Sequence, residues 1–158
     1  MSLMKNWTEN IVVTIAEGTV RAPNILKLLA HVPDVYGVEE VYDTLFARHE
    51  TTKALFVLDK NMSVRGSMLQ QCFEVILDYA QGGDMYKLTL IAARYNHDGY
   101  GVQPEIFLDF FDAVRKWVSE TLSELLDDTG QNILEIEYQC EWKTMISDFD
   151  QLLRDAVD

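Results

Sequence analysis

His97 closes an apolar, helix-like segment and is followed at once by the corner "HDGYGVQPE", in which Gly99 and Gly101 break the helical pattern and Pro104 restarts it. An imidazole held rigidly at a helix end can serve as a metal ligand. The plain alternative is a polar side chain satisfied where a helix stops. His31, near a helix end, and His49, in the turn "ARHE", have no comparable setting. Tyr42 lies on the apolar face of its segment, where its hydroxyl either donates to a bound molecule or is satisfied within the core. Cys72 and Cys140 are far apart and follow no metal-ligand spacing. The acidic pairs Glu39–Glu40 and Asp127–Asp128 fall on polar faces or turns and need no catalytic role. The run "GYGV" follows a histidine rather than a strand, so it is not a phosphate-binding loop.

What must position these residues is a set of helices. No window alternates with period two for long, helical spacing dominates, and the chain reads as all-α. Over residues 34–50, Val35, Val38, Val41, Tyr42, Leu45 and Phe46 form an apolar face behind Asp34, a good N-cap. "TTKALF" reads as one or two helical turns ending at Phe56, and "DKN" as a loop. Residues 63–83 form a helix capped by Ser63 and stopped by Gly82 and Gly83, with Leu69, Cys72, Phe73 and Ile76 on one face. Residues 84–97 make a shorter helix. From Pro104 a long helix runs to Leu126, burying Phe107, Phe110, Phe111, Val114, Trp117, Val118 and Leu122. After a turn at Asp127–Gly130, a last helix places Ile133, Tyr138, Trp142, Met145, Phe149 and Leu152 inward. Pro23 opens a helix that Pro33 ends, and an extra N-terminal helix is expected before Pro23.

The 158 residues suit one domain with one core, preceded by an extension over residues 1–22. A formal charge of −13, with no basic stripe, excludes a nucleic-acid surface. No apolar run approaches a membrane span, and "MSLMKNWTEN" has no apolar leader core, so a soluble, cytoplasmic protein is expected.

A short helix, His97, a glycine corner, Pro104-Glu105 and a long aromatic-rich helix together resemble the proximal side of the globin family. The likeness is nearest to bacterial single-domain and flavohaemoglobin-type globins. His97 stands seven residues before Pro104, the family's spacing for the haem-ligating histidine. "VYDTLFARHETTKALF" is similar to the family's B and C helices, with Tyr42 at the distal tyrosine and Phe56 at the phenylalanine that packs on the haem. An ungapped count back from His97 puts Arg65 at the distal position and Leu69 one turn later. The pattern departs from the family at Arg65, commonly Gln or His, at Phe107, commonly Tyr, and at Glu50, commonly Pro. The glutamate that flavohaemoglobins place near the proximal histidine late in the domain has no clear counterpart.

The resemblance implies a globin-like fold of the three-on-three type over residues 23–158. It implies haem b held by His97 as the metal ligand, in a pocket of Tyr42, Phe56, Arg65, Leu69, Val102 and Phe107. Arg65 would either swing toward solvent and a haem propionate or face a polarised or anionic ligand. Met62 and Met68 lie near the distal side, where methionine more often fills gaps than ligates iron. The expected role is reversible binding of dioxygen or nitric oxide by a monomer or homodimer. Nitric oxide dioxygenation or peroxidase-like activity would need an external reductase, since these residues leave no room for flavin and nicotinamide domains. The alternatives are a haem-free sensory or interaction module of globin fold and a haem-based gas sensor.

Overall fold

A computed structural model describes residues 20–32, 37–123 and 132–157, with side chains in the last segment described over 135–156. Among the described residues the protein is all-helical. The elements are α1 (Pro23–Leu29), α2 (Val38–Arg48), a 3-10 turn (Glu50–Phe56), α3 (Ser63–Gln81), α4 (Met85–Gly99), α5 (Pro104–Thr121) and α6 (Asn132–Val157). No described helix is long and apolar enough to cross a membrane. The extra helix expected before Pro23 falls largely in residues 1–19, outside the described residues, as do Asp34, Val35 and the continuation of α5 to Leu126 with its turn at Asp127–Gly130.

Helix boundaries follow local chemistry. Pro23 and Pro104 each occupy a first helical position, where the missing N–H would have had no partner and the fixed φ already suits a helix. α3 stops at Gly82, whose φ of 95° is a left-handed conformation that side chains disfavour. α4 runs past His97 to Gly99, two residues beyond expectation. The first amides of α1 are met from far away: Asn24 and Ile25 donate to Glu141 Oε1 of α6 at 2.9 and 3.1 Å. Likewise Tyr86, in the first turn of α4, donates 2.7 Å to the buried carboxylate of Asp78 on α3.

α6 packs against α1, α4 and α5, while α5 also touches α2 and α4, and α3 lies on α1, α2 and α4. The stripe Tyr138, Trp142, Met145 and Phe149 is fully buried. Leu153 continues it at 2% exposure, and the expected Leu152 packs half-buried beside it, three and four residues after Phe149 both falling on the core side. Each such side chain contributes about 1.5–3 kcal/mol by leaving water. Polar edges are satisfied, since Trp142 Nε1 donates to the Phe111 carbonyl at 3.2 Å and the Tyr138 hydroxyl to that of Arg115 at 3.2 Å. Arg21 clamps the end of α3, donating to the Tyr79 and Gly83 carbonyls at 3.2 and 2.6 Å with its guanidinium over the Tyr79 and Tyr86 rings.

Gly37, just before α2, lies so close to Trp117 of α5 that an added Cβ would stand 2.1 Å from the indole nitrogen. Trp117 is itself buried and cannot retreat. Gly37→Ala is therefore expected to lower stability by about 1–3 kcal/mol, read as a reduced midpoint in urea unfolding. Unchanged stability would show that α2 and α5 can separate freely at this point.

Candidate functional site

His97 lies in the last turn of α4, where its Nδ1 is 2.6 Å from the Ala93 carbonyl one turn earlier. A carbonyl only accepts, so Nδ1 is the donor in this contact, and in the neutral imidazole Nε2 is the nitrogen with the free lone pair. The Phe107 ring stands 5.0 Å from the imidazole, tilted by 57°. The backbone beyond is equally fixed, because Tyr100 and Val102 both donate to the His97 carbonyl at 3.0 Å. Gly101, at φ 76°, makes the left-handed step that turns the chain into Pro104. The imidazole is thus oriented by its own helix and by the corner that follows.

His97 borders a cavity of about 570 Å³, within the range of small-molecule and cofactor sites. Its walls come from α2, the 3-10 turn, α3, α4 and α5. The interior includes Tyr42, Leu45, Cys72, Leu90 and Phe111, all buried, while Leu58, Val64 and Tyr100 at the wall are exposed and mark the mouth. Asn61, Gln71, Thr89 and Asn96 add exposed polar groups to the lining. Leu58 is 89% exposed and Tyr100 77%, so the opening is apolar as well as polar.

Tyr42 sits within an aromatic cluster, its ring 5.7, 5.3 and 5.2 Å from those of Phe46, Phe56 and Phe110. Its hydroxyl is buried and has no hydrogen-bond partner. Burial pushes its pKa far up, with Cys72 and Asp59 adding to the rise and Arg65 opposing it, so the hydroxyl keeps its proton and is available as a hydrogen-bond donor. An unpaired buried hydroxyl costs about 1–3 kcal/mol. A molecule in the cavity offering an acceptor would recover that loss.

The start of α3 forms the cavity's other edge. Ser63 donates to Asn61 Oδ1 at 3.2 Å, Val64 and Arg65 to the two Asp59 carboxylate oxygens at 3.0 Å each, and Gly66 to the Met62 carbonyl at 2.8 Å. All the amides that a helix start leaves without partners are met. Asp59, five residues upstream of Val64, provides the cap expected of Ser63, and the chain reaches this arrangement by placing Met62 in the left-handed region at φ 60°. Asp59 also holds Arg65, whose Nε lies 3.0 Å from Oδ2 and whose terminal nitrogen donates to the Asp59 carbonyl. Burial raises the Asp59 pKa, but the two backbone N–H groups and the guanidinium outweigh it and hold the carboxyl below its ordinary range.

Comparison with known proteins finds no match to any family model, curated protein or solved structure.

Of the residues singled out in the sequence, His97, Tyr42, Phe56, Val102 and Phe107 all line this one cavity. Arg65 and Leu69 do not. The wall positions on α3 are Ser63, Val64, Met68, Gln71, Cys72 and Val75, while Leu69 is fully buried in the core. One residue is about 100° of helix, so the ungapped count lands one position away from the cavity face. Arg65 instead stands on Asp59 with its guanidinium 5.9 Å from the centre of the Phe56 ring. Met68 faces the cavity; Met62 serves the turn. Asp59 was hidden in what reads as loop sequence.

His49 is not a free turn residue: its Nε2 lies 2.9 Å from Asp109. It borders a second, more open hollow of about 680 Å³ between α5 and α6. There Arg48 bridges Asp109 and Asp112 at 2.8 and 2.9 Å, and Arg115 holds Asp112 at 2.8 Å. These four charged side chains satisfy one another. Among the described residues, no three His, Cys, Asp or Glu side chains gather to hold a bare metal ion.

Two outcomes follow for the ligand-free protein. Tyr42→Phe is expected to match or exceed the parent in thermal stability, by up to about 1–3 kcal/mol, because it deletes an unpartnered hydroxyl and little else; a clear loss would reveal a hidden partner. Asp59→Asn should melt lower than the parent at neutral pH. Since the folded-state pKa is depressed, the stabilisation is complete above the ordinary value of 3.8 and fades as pH falls through the lower folded value. The gap between parent and variant should therefore narrow in acid, and a gap independent of pH would remove the carboxylate from this role.

Proposed function

We propose that this chain is a haem-binding globin of the bacterial single-domain type, which reversibly binds dioxygen or nitric oxide. The observation that carries the reading is the His97 imidazole, whose Nδ1 is committed to the Ala93 carbonyl, in a cavity that also holds the unpartnered Tyr42 hydroxyl. A metal ligand of this kind needs its second nitrogen anchored so that tautomer and ring orientation are fixed. One imidazole cannot retain a bare ion, whereas a haem would bring its own nitrogen ligands for the iron and ask of the protein a histidine and an apolar slot. The residues present fit that group: His97 would hold the iron, with Phe56, Val102 and Phe107 against the macrocycle. When bound, haem supplies an iron centre that takes up a diatomic gas.

The chain's own residues do the rest. The half-buried rings of Phe46, Phe56 and Phe110 surround the buried Tyr42 and keep bulk water from its hydroxyl, which strengthens any hydrogen bond made there. Tyr42 donates a hydrogen bond to a polar atom of the ligand and keeps its proton. His97, held at both its ring and its carbonyl, keeps Nε2 pointed along one direction. Electron delivery for nitric oxide dioxygenation would come from a separate reductase.

A second reading, a haem-based gas sensor, is favoured by Met85, Leu88 and Tyr95, which are exposed on the helix that bears His97. It predicts a change in elution between ligated and unligated forms on gel filtration.

The deciding experiment adds hemin to the purified protein and follows the visible spectrum. A Soret band is expected, and His97→Ala should lose hemin at least about tenfold faster to a scavenging apoprotein. No hemin uptake by the parent would leave a haem-free sensory or interaction module as the reading.

A further inference from the structure

Charge is distributed unevenly around the cavity. Among the described residues, Asp59 is the single carboxylate in the wall, and no lysine or arginine lines it. Arg65 is the neighbour of the wall residue Val64, yet its guanidinium is tied back. Nε bonds Asp59 Oδ2 at 3.0 Å, a terminal nitrogen bonds the Asp59 carbonyl, and the Phe56 ring lies beneath at 5.9 Å. That same ring is 5.3 Å from the Tyr42 ring. The guanidinium therefore stands one aromatic ring away from the ring that bears the unpartnered hydroxyl, on a long side chain whose single ion pair among the described residues is with Asp59. Its side chain is 17% exposed and that of Asp59 is 5% exposed, so the pair is shielded from the screening that weakens surface ion pairs.

We propose that Asp59 sets the charge class of ligand that the cavity accepts. It keeps the Arg65 guanidinium out of the cavity, so a neutral molecule is taken beside Tyr42 and an anion finds no charged partner there. The identity of the seat as haem iron rests on the function proposed above; the exclusion of anions is a property of these two side chains. A released guanidinium, always charged and offering a fork of donors, would give an anion a charge-assisted partner inside an apolar cavity. Asp59 is a positioning residue acting through Arg65.

The test compares the parent protein with Asp59→Asn, Arg65→Gln and the double variant. Asparagine keeps an acceptor for the first amides of α3 while removing the charge; if circular dichroism shows lost helix, Asp59→Ser, which also offers a cap oxygen, replaces it. The ferric, hemin-loaded proteins are titrated with azide and followed in the visible spectrum. Asp59→Asn is expected to bind azide about tenfold more tightly or better, the scale of one charge-assisted hydrogen bond. Arg65→Gln should match the parent, and the double variant should return to the parent value. Equal affinity in Asp59→Asn and parent overturns the proposal. So does a gain that persists in the double variant, since wall charge alone would then account for it. If the parent takes up no hemin, the haem reading fails separately, and the same four proteins are titrated without haem using anionic anilinonaphthalenesulfonate against neutral Nile red. A preference for the anion gained in Asp59→Asn and lost in the double variant upholds the proposal, and identical ratios in all four overturn it.

Discussion

A helix that begins against the protein's interior must find acceptors for its first amide protons, and here three carboxylates do that work from outside the helices they start. Asp59 serves α3 from the preceding loop, Asp78 serves α4 from the preceding helix, and Glu141 serves α1 from the far end of the chain. Two of these helices wall the cavity. The chain's acidic excess is therefore partly structural rather than only a solvated face. At α3 the same carboxylate that caps the helix also fixes the Arg65 guanidinium beside the cavity wall. Cap and charge placement cannot be separated there.

The interior shows the opposite economy. Almost every buried polar side chain has a partner, as in the bonds of Trp142, Tyr138 and Asn24. Tyr42, at 1% exposure and with none, stands out against that background. Its ring is held by three aromatic neighbours, so the hydroxyl cannot rotate away to find water. Stability and binding make different demands at this position, and the aromatic cluster pays for the first so that the second remains open.

Periodicity and punctuation made the helices legible in the sequence, because Pro23, Pro104 and Gly82 act locally and an apolar stripe shows which face turns inward. His97 was legible for the same reason: its corner is written in glycines and a proline within nine residues. The core face of α3 was legible in Leu69, Cys72, Phe73 and Ile76, all buried, whereas the ungapped count from His97 fell one residue away from the cavity positions Val64 and Met68, because the spacing between helices is not written in either helix. Asp59 was missed because its cap depends on a left-handed Met62, a conformation that residue type does not announce. Glu141 reaching Asn24 across the chain leaves no local trace at all. The likeness that drew attention to Tyr42, Phe56, Val102 and Phe107 identified residues that share one cavity, although they come from three helical elements and a connecting corner.

The two thiols of the chain are set in opposite circumstances. Cys140 is exposed on α6, whereas Cys72 is 4% exposed in the cavity wall, where burial pushes its pKa well up. A thiol reacts through its thiolate and only when a reagent can reach it. With Cys140 already blocked, the rate at which Cys72 is alkylated becomes a clock for how often the cavity wall opens. A molecule lodged in the cavity would slow that clock by stabilising the closed state, whatever its colour or redox chemistry.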